Sequence, residues 1–291
     1  MITDRLERKI LTIQNVIGVA RVLNSQEERL AVSILNAADY LESRGIKAIL
    51  KRRDPKEPGR REKEIAEIEL DRMMLRMFRA QSRVTRDLLE SHYPNRKQFG
   101  TDIPDVVIAA GDEYWEKIFG IILKAVTGGI DIFAAAQTIG MDYTLVNAEA
   151  ADFVRSYVFD KFRVQIEDTT RTVLQDTISE FIETEGMTIG NVIERLPFNA
   201  VRSEMAAITE VTRAYAEGDR LAGEAMREEF PDVRMIKIWF TNQDDRVCDL
   251  CGPLHGIEVG IDEMFPGGYD GPPIHVRCRC WRTTTTALAE L

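Results

Sequence analysis

Residues 200–240 read AVRSEMAAITEVTRAYAEGDRLAGEAMREEFPDVRMIKIWF, and this stretch decides the fold. Ala200 to Phe230 supports one long helix, which Pro231 stops because its ring disfavours helical backbone in the preceding residue and removes an amide donor. Beyond it, Val233, Met235, Ile236, Ile238, Trp239 and Phe240 are β-branched, aromatic or otherwise apolar and partly alternate, which suits a strand. A helical body gives way to a β-containing end, so the chain reads as α+β: a mainly α-helical body with a small, β- and turn-rich C-terminal unit.

Working back towards the N-terminus, Thr188 to Leu196 predicts a short helix stopped by Pro197. Residues 145–185 carry Phe153, Tyr157, Phe162, Leu174, Ile178 and Phe181, which predict one long helix or two in series ending near Gly186. Around Gly128-Gly129, Trp115 to Leu123 and Ile130 to Ile139 predict two short packed helices. A helix from about Arg61 to Ser91 is followed by a break at His92-Tyr93-Pro94-Asn95. Residues 3–23 and 25–44 predict a helical hairpin, with Ser25 and Glu28 as a capping box and Gly45 as a left-handed cap. Between them and the next helix, residues 44–63 hold nine basic against three acidic side chains, a local balance of +6, with Pro55, Pro58 and Gly59. This basic loop or linker is a solvated segment on the plain reading and a contact for nucleic acid or an acidic surface on the functional one. No aromatic residue interrupts it, which removes base stacking as support. Three regions are expected: 1–100, N-terminal and helical with the basic linker; 101–231, helical; and 232–291, small and β-rich.

At 291 residues, with 44% hydrophobic and 30% charged residues, the chain has a globular composition and the length of two domains. Its 38 basic and 48 acidic side chains give −10, which disfavours a nucleic-acid binder that uses its whole surface. The longest apolar region, Ile118 to Met141, is interrupted by Lys124, Gly128, Gly129 and Asp131, so no membrane span is expected. The first residues, MITDRLERKILTIQ, alternate charged and apolar types unlike a secretory signal, and cytosolic synthesis is expected.

All four cysteines lie between 248 and 280. Cys248-x-x-Cys251 forms a turn that can aim two sulfurs at one cation, and Cys278-x-Cys280 does the same if the chain is extended. His275 and His255 bring the candidates to six. Sulfur and imidazole donors favour a tetrahedral structural Zn²⁺. Strict alternation would turn His275 away from Cys278 and Cys280 and favour four cysteines, although Pro272-Pro273 weakens that argument; otherwise His275 is a ligand or supports one. His255 reads as a loop residue without a positional partner. Two alternatives remain open, a Cys/His nucleophile pair and a metal-free cluster. A catalytic zinc would need an open position and a carboxylate such as Glu258, Asp262 or Glu263. Asp245 and Arg246 are candidates to pair or to cap the CxxC turn.

Taken together, Ala207-Ile208-Thr209-Glu210-Val211-Thr212-Arg213, then Trp239-x5-Asp245-Arg246-Val247-Cys248-x-x-Cys251-x-x-Leu254-x-Gly256, then Pro272-Pro273-x-His275-x-x-Cys278-Arg279-Cys280, resemble the phage Mu F-like head morphogenesis proteins. The resemblance covers residues 120–285, is strongest over 205–282, and departs from the family pattern at His255. It implies a minor head protein of tailed bacteriophages or prophages, made in the host bacterial cytoplasm and incorporated into the procapsid and virion at the portal vertex. Because residues 1–100 read as helices without a nucleophile, phosphate loop or carboxylate pair, a non-enzymatic role is expected. The implied partners are the portal protein and capsid or scaffold components, with a role in DNA packaging or delivery. Cys248, Cys251, His275, Cys278 and Cys280 would then hold the small unit together. The rivals are a zinc-dependent nucleic-acid-processing enzyme and a DNA-binding module, each using the basic stretch from Arg44 to Lys63.

Overall fold

A computed structural model describes residues 57–92, 102–137 and 141–286. The expected hairpin of residues 3–44, its Ser25/Glu28 box, Gly45, the basic stretch before Glu57 and most of the connection after His92 lie outside them. The helices are α1 (Arg60–His92), α2 (Ile103–Ala109), α3 (Asp112–Ala136), α4 (Thr144–Ser156), α5 (Arg163–Glu183), α6 (Ile189–Arg195) and α7 (Ala200–Glu229). A π-helical segment, Tyr157–Phe162, joins α4 to α5. Three antiparallel strands follow, β1 (Met235–Phe240), β2 (Glu258–Gly260) and β3 (Trp281–Thr286), in spatial order β2-β1-β3.

Gly128 and Gly129 do not divide two short helices. They lie inside α3, where missing side chains allow a close helix crossing. A Cβ on Gly129 would stand 2.5 Å from the Tyr215 carbonyl oxygen of α7, and one on Gly218 would stand 2.1 Å from the Val126 carbonyl oxygen of α3. The glycines are set by tertiary packing, which outweighs their weak helix propensity. Uninterrupted, the 25-residue α3 is by length and composition alone apolar enough to cross a bilayer. Here Trp115, Ile118, Ile122, Val126, Ile130 and Phe133 are buried in a core shared with α1, α4 and α7.

The run from α4 to α5 is helical throughout. Val146, Ala150, Val154, Val158, Phe162, Ile166, Thr170, Leu174 and Ile178 face inward or partly inward at every fourth residue. Four residues overshoot one α-helical turn by roughly 40°, so such a stripe rotates away from its partner. The π segment, with its i→i+5 bonds, winds more residues per turn and takes up part of that drift.

At α6 the Thr188 hydroxyl and the Asn191 side chain cap each other's backbone amides. Asn199 accepts from the Arg202 amide at 2.9 Å to start α7, and Phe230, before Pro231, leaves helical geometry at φ −127° and ψ 69°.

The C-terminal strands are shorter than expected. His255–Ile261 yields only Glu258–Gly260, and Ile274–Thr285 only Trp281–Thr286, because turns occupy the remaining residues. Central β1 buries Met235, Lys237 and Trp239 on one face, leaving Ile236, Ile238 and Phe240 half-buried on the other. Lys237 is tolerated there because Asp270 receives its ammonium. Besides the main core and a second one around Leu89, Val107, Leu174 and Phe181, a third core around Trp239, Cys251, Leu254, Phe265, Cys278 and Cys280 is small, and three of these six residues are cysteines.

Candidate metal centre

The loop leaving β1 turns tightly at the first cysteine pair. Amides of Cys251 and Gly252 both donate to the Cys248 carbonyl, at 3.1 and 2.9 Å, and the Cys251 amide also meets Cys248 Sγ at 3.4 Å. A single 3-10 turn, Gly252–Leu254, carries the chain back towards β2. The second pair arrives from the Gly- and Pro-rich loop, and it is not extended. The Cys278 amide donates to the His275 carbonyl at 3.2 Å and Arg277 lies at φ +60°, so the alternation that would turn His275 away does not apply.

His275 instead points into the cluster. Its Nε2 lies 3.1 Å from Cys248 Sγ and 3.2 Å from Cys251 Sγ, while Nδ1 lies 2.8 Å from the Val276 carbonyl oxygen. A carbonyl can only accept, so Nδ1 carries the proton and Nε2 presents its lone pair to the sulfurs. Cys251 Sγ and Cys278 Sγ are 3.9 Å apart, close to the edge of about 3.8 Å for a tetrahedron with Zn–S bonds of about 2.3 Å. Two donor groups result, Cys248–Cys251–His275 and Cys251–Cys278–Cys280, each with ligand atoms within 4.8 Å of one another and with Cys251 common to both. All four cysteines are free of disulfides.

The thiols are held unequally. The neighbouring Cys280 thiol and backbone amides hold Cys278 below the usual thiol range. Its thiol neighbour and burial push Cys280 up, and burial does the same to Cys251. A cation bound among these sulfurs would stabilise their thiolate forms. A partly buried, sulfur-rich group with an oriented imidazole could therefore hold a metal ion.

Neighbouring side chains are otherwise engaged. His255 is not in either group: its Nδ1 accepts from the Thr241 amide at 3.0 Å, pinning the end of β1. Asp262 pairs with Arg227, and Glu263 accepts from the Gly260 amide at 2.9 Å. Exposed Glu258 on β2 is likewise outside both groups. The turn before Cys248 is capped by Asp244, one residue earlier than expected, which accepts from the Arg246 amide at 3.1 Å and pairs with Arg279. Trp239 is fully buried, and Phe240 stacks on Trp281 at 5.5 Å.

The helix α7 supports this unit from beneath. Thr209 accepts from the Arg277 amide at 3.0 Å, between His275 and Cys278. Asp219 receives Arg282 Nε at 2.9 Å and the Thr284 amide and hydroxyl at 3.0 and 2.6 Å. Buried Glu210 accepts from Tyr157 of the π segment and lies 3.4 Å from Arg213; burial pushes its carboxyl up. Sequence reasoning missed Asp219 and Glu210 as anchors; the signal was a carboxylate on the inward face of an amphipathic helix.

Residues 169–283 match the family described as Phage Mu protein F like protein. This segment belongs to the Phage Mu protein F like family. No curated protein and no solved structure matches the chain. The Mu F-like segment begins within α5 and ends within β3, so it contains α7, both cysteine pairs, His275 and the Asp219–Arg282 contact, while α1 and α3 lie outside it.

Proposed function

We propose that this chain is a minor head protein of a tailed bacteriophage or prophage, incorporated in few copies at the portal vertex during procapsid assembly. It acts there as an assembly factor with a part in DNA packaging or delivery, not as an enzyme. The observation that carries this reading is the Mu F-like match, which spans both the cysteine cluster and the helix that anchors it.

In this reading Cys248, Cys251, His275 and Cys278 hold a structural zinc, and Cys280 packs beside them in the small buried core. Zinc would supply the cross-link that the small third core lacks. Four protein donors close its coordination shell, whereas hydrolysis needs an open position. That favours assembly over the zinc-dependent nucleic-acid-processing alternative, as do the commitments of Asp262 to Arg227 and of Glu263 to a backbone amide.

The test is co-expression of the tagged chain with the portal, scaffold and major capsid proteins of the same genome, followed by sedimentation. The chain is expected in portal or procapsid fractions at a low, fixed ratio. A chain that stays apart from every head component contradicts the proposal.

A further inference from the structure

Between Arg72 and Arg86 the sequence holds five arginines and no acidic residue, in a chain that elsewhere has 33 basic against 48 acidic side chains. Arg72, Arg76, Arg79, Arg83 and Arg86 follow one another at intervals of four, three, four and three residues. At 100° per residue they fall within an arc of about 80° on α1. The opposite face carries Leu70, Met74, Met77, Phe78 and Leu89 into the core, so the arginines project away from it, and all five are exposed. Among the described residues, no carboxylate pairs with any of them. Asp71 accepts from Ser203, and Glu69 is paired with Lys124. The strip has ends: exposed Ile65 and Ile68 occupy the same arc before it and Glu90 after it.

By contrast, the described end of the basic stretch is largely neutralised. Arg60 pairs with Glu64, and buried Lys63 with Glu57.

We propose that the exposed face of α1 from Arg72 to Arg86 is a docking strip for the phosphate backbone of duplex nucleic acid. Five unpaired guanidinium groups in a line are complementary to a regular polyanion. The strip is about 21 Å long at 1.5 Å per residue, a length that one duplex strand fills with about six phosphates. It uses arginine alone, whose planar fork binds phosphate oxygens in pairs. It presents no aromatic ring on which unpaired bases could stack, which favours a duplex over a single strand. A strip of guanidinium groups alone is expected to contact the backbone rather than to read base edges, so no sequence preference is expected. This inference does not depend on the head-protein reading.

The test measures binding of the full chain to labelled duplexes of two unrelated sequences by fluorescence anisotropy, over about 50 to 200 mM salt. Both duplexes are expected to bind equally, with log K falling against log salt at a slope of up to about −4.5 for five phosphate contacts. Replacing all five arginines with glutamine is expected to weaken binding at least about tenfold and flatten the slope, with an unchanged melting temperature because the side chains are exposed. The pairs R72Q/R76Q and R83Q/R86Q should each flatten it by about two units. Unchanged affinity and slope in these variants overturn the proposal, as does loss confined to R52Q/R53Q/R60Q/R61Q. Polyglutamate of matched charge serves as competitor. If it displaces the duplex as well as unlabelled duplex does, the strip is a site for acidic protein and the nucleic-acid assignment is overturned.

Discussion

Asp219 of α7 and Arg282 of β3 form a buried ion pair, 2.9 Å from Nε to Oδ2, that joins the helical body to the strand following the last cysteine. The carboxylate also accepts from the Thr284 amide and hydroxyl, so one helix side chain satisfies three donors of β3. Removing one partner of a buried pair leaves a desolvated charge and costs about 3–5 kcal/mol. Asp219→Ala is expected to lower stability by that order and expose the chain after Pro231 to protease. Asp219→Asn, which keeps an acceptor, should fall between. Thermal melts and timed proteolysis read both effects.

The α3–α7 crossing gives a paired prediction. A methyl on Gly218 or Gly129 would meet backbone oxygens, which cannot move aside as a flexible side chain can. Each glycine-to-alanine change should destabilise by about 1–3 kcal/mol or more, while Gly120→Ala, with nothing within 4 Å, should be neutral or gain up to about 1 kcal/mol. Urea unfolding of the three variants checks the contrast.

Burial raises the carboxyl of Glu67 on α1 from 4.5 to about 7, aided by Glu57 and Glu64 and opposed by Lys63 and Arg279. A raised folded value means that the folded state holds the extra proton. The resulting stability is complete below about pH 4.5 and lost as pH rises through about 7, an effect of order 2–3 kcal/mol. Glu67→Gln should melt higher than the parent at pH 8, with the gap closing towards pH 4.5. A constant gap would place the effect elsewhere.

The proposed metal ligands should divide by zinc content. Cys248→Ser, Cys251→Ser, Cys278→Ser and His275→Ala should each lose most bound zinc and loosen the region after Pro231, because structural zinc contributes on the order of 10 kcal/mol to folding such a unit. Cys280→Ser should keep zinc, since Cys280 lies outside the proposed four ligands. Zinc lost from the Cys280 variant but kept in the Cys278 variant would exchange their roles.

Much of this architecture was legible because local rules and tertiary packing agree. The long helix stopped by Pro231, the capped helix after Thr188 and the strand at Met235 each carry their own start or stop signals. Residues at Gly128-Gly129 misled because those glycines answer to α7, a partner remote in sequence. His275 misled for a related reason: alternation presumes extended backbone, and the turn at Arg277 breaks it. The arginine strip on α1 was hidden by counting charge over segments rather than by helical period. Asp219 and Glu210 showed only as carboxylates on the inward face of a helix, with nothing local to name their partners Arg282 and Tyr157, and Asp244 depends on a turn.

The central claim is that Cys248, Cys251, His275 and Cys278 form a closed metal centre that folds the C-terminal unit onto α7. Its most direct test is elemental analysis of the reductively purified chain, with thiols titrated before and after unfolding. The account predicts about one zinc per chain, with thiols shielded until the protein unfolds. No bound metal, together with a thiol that reacts rapidly in the native protein, would contradict it.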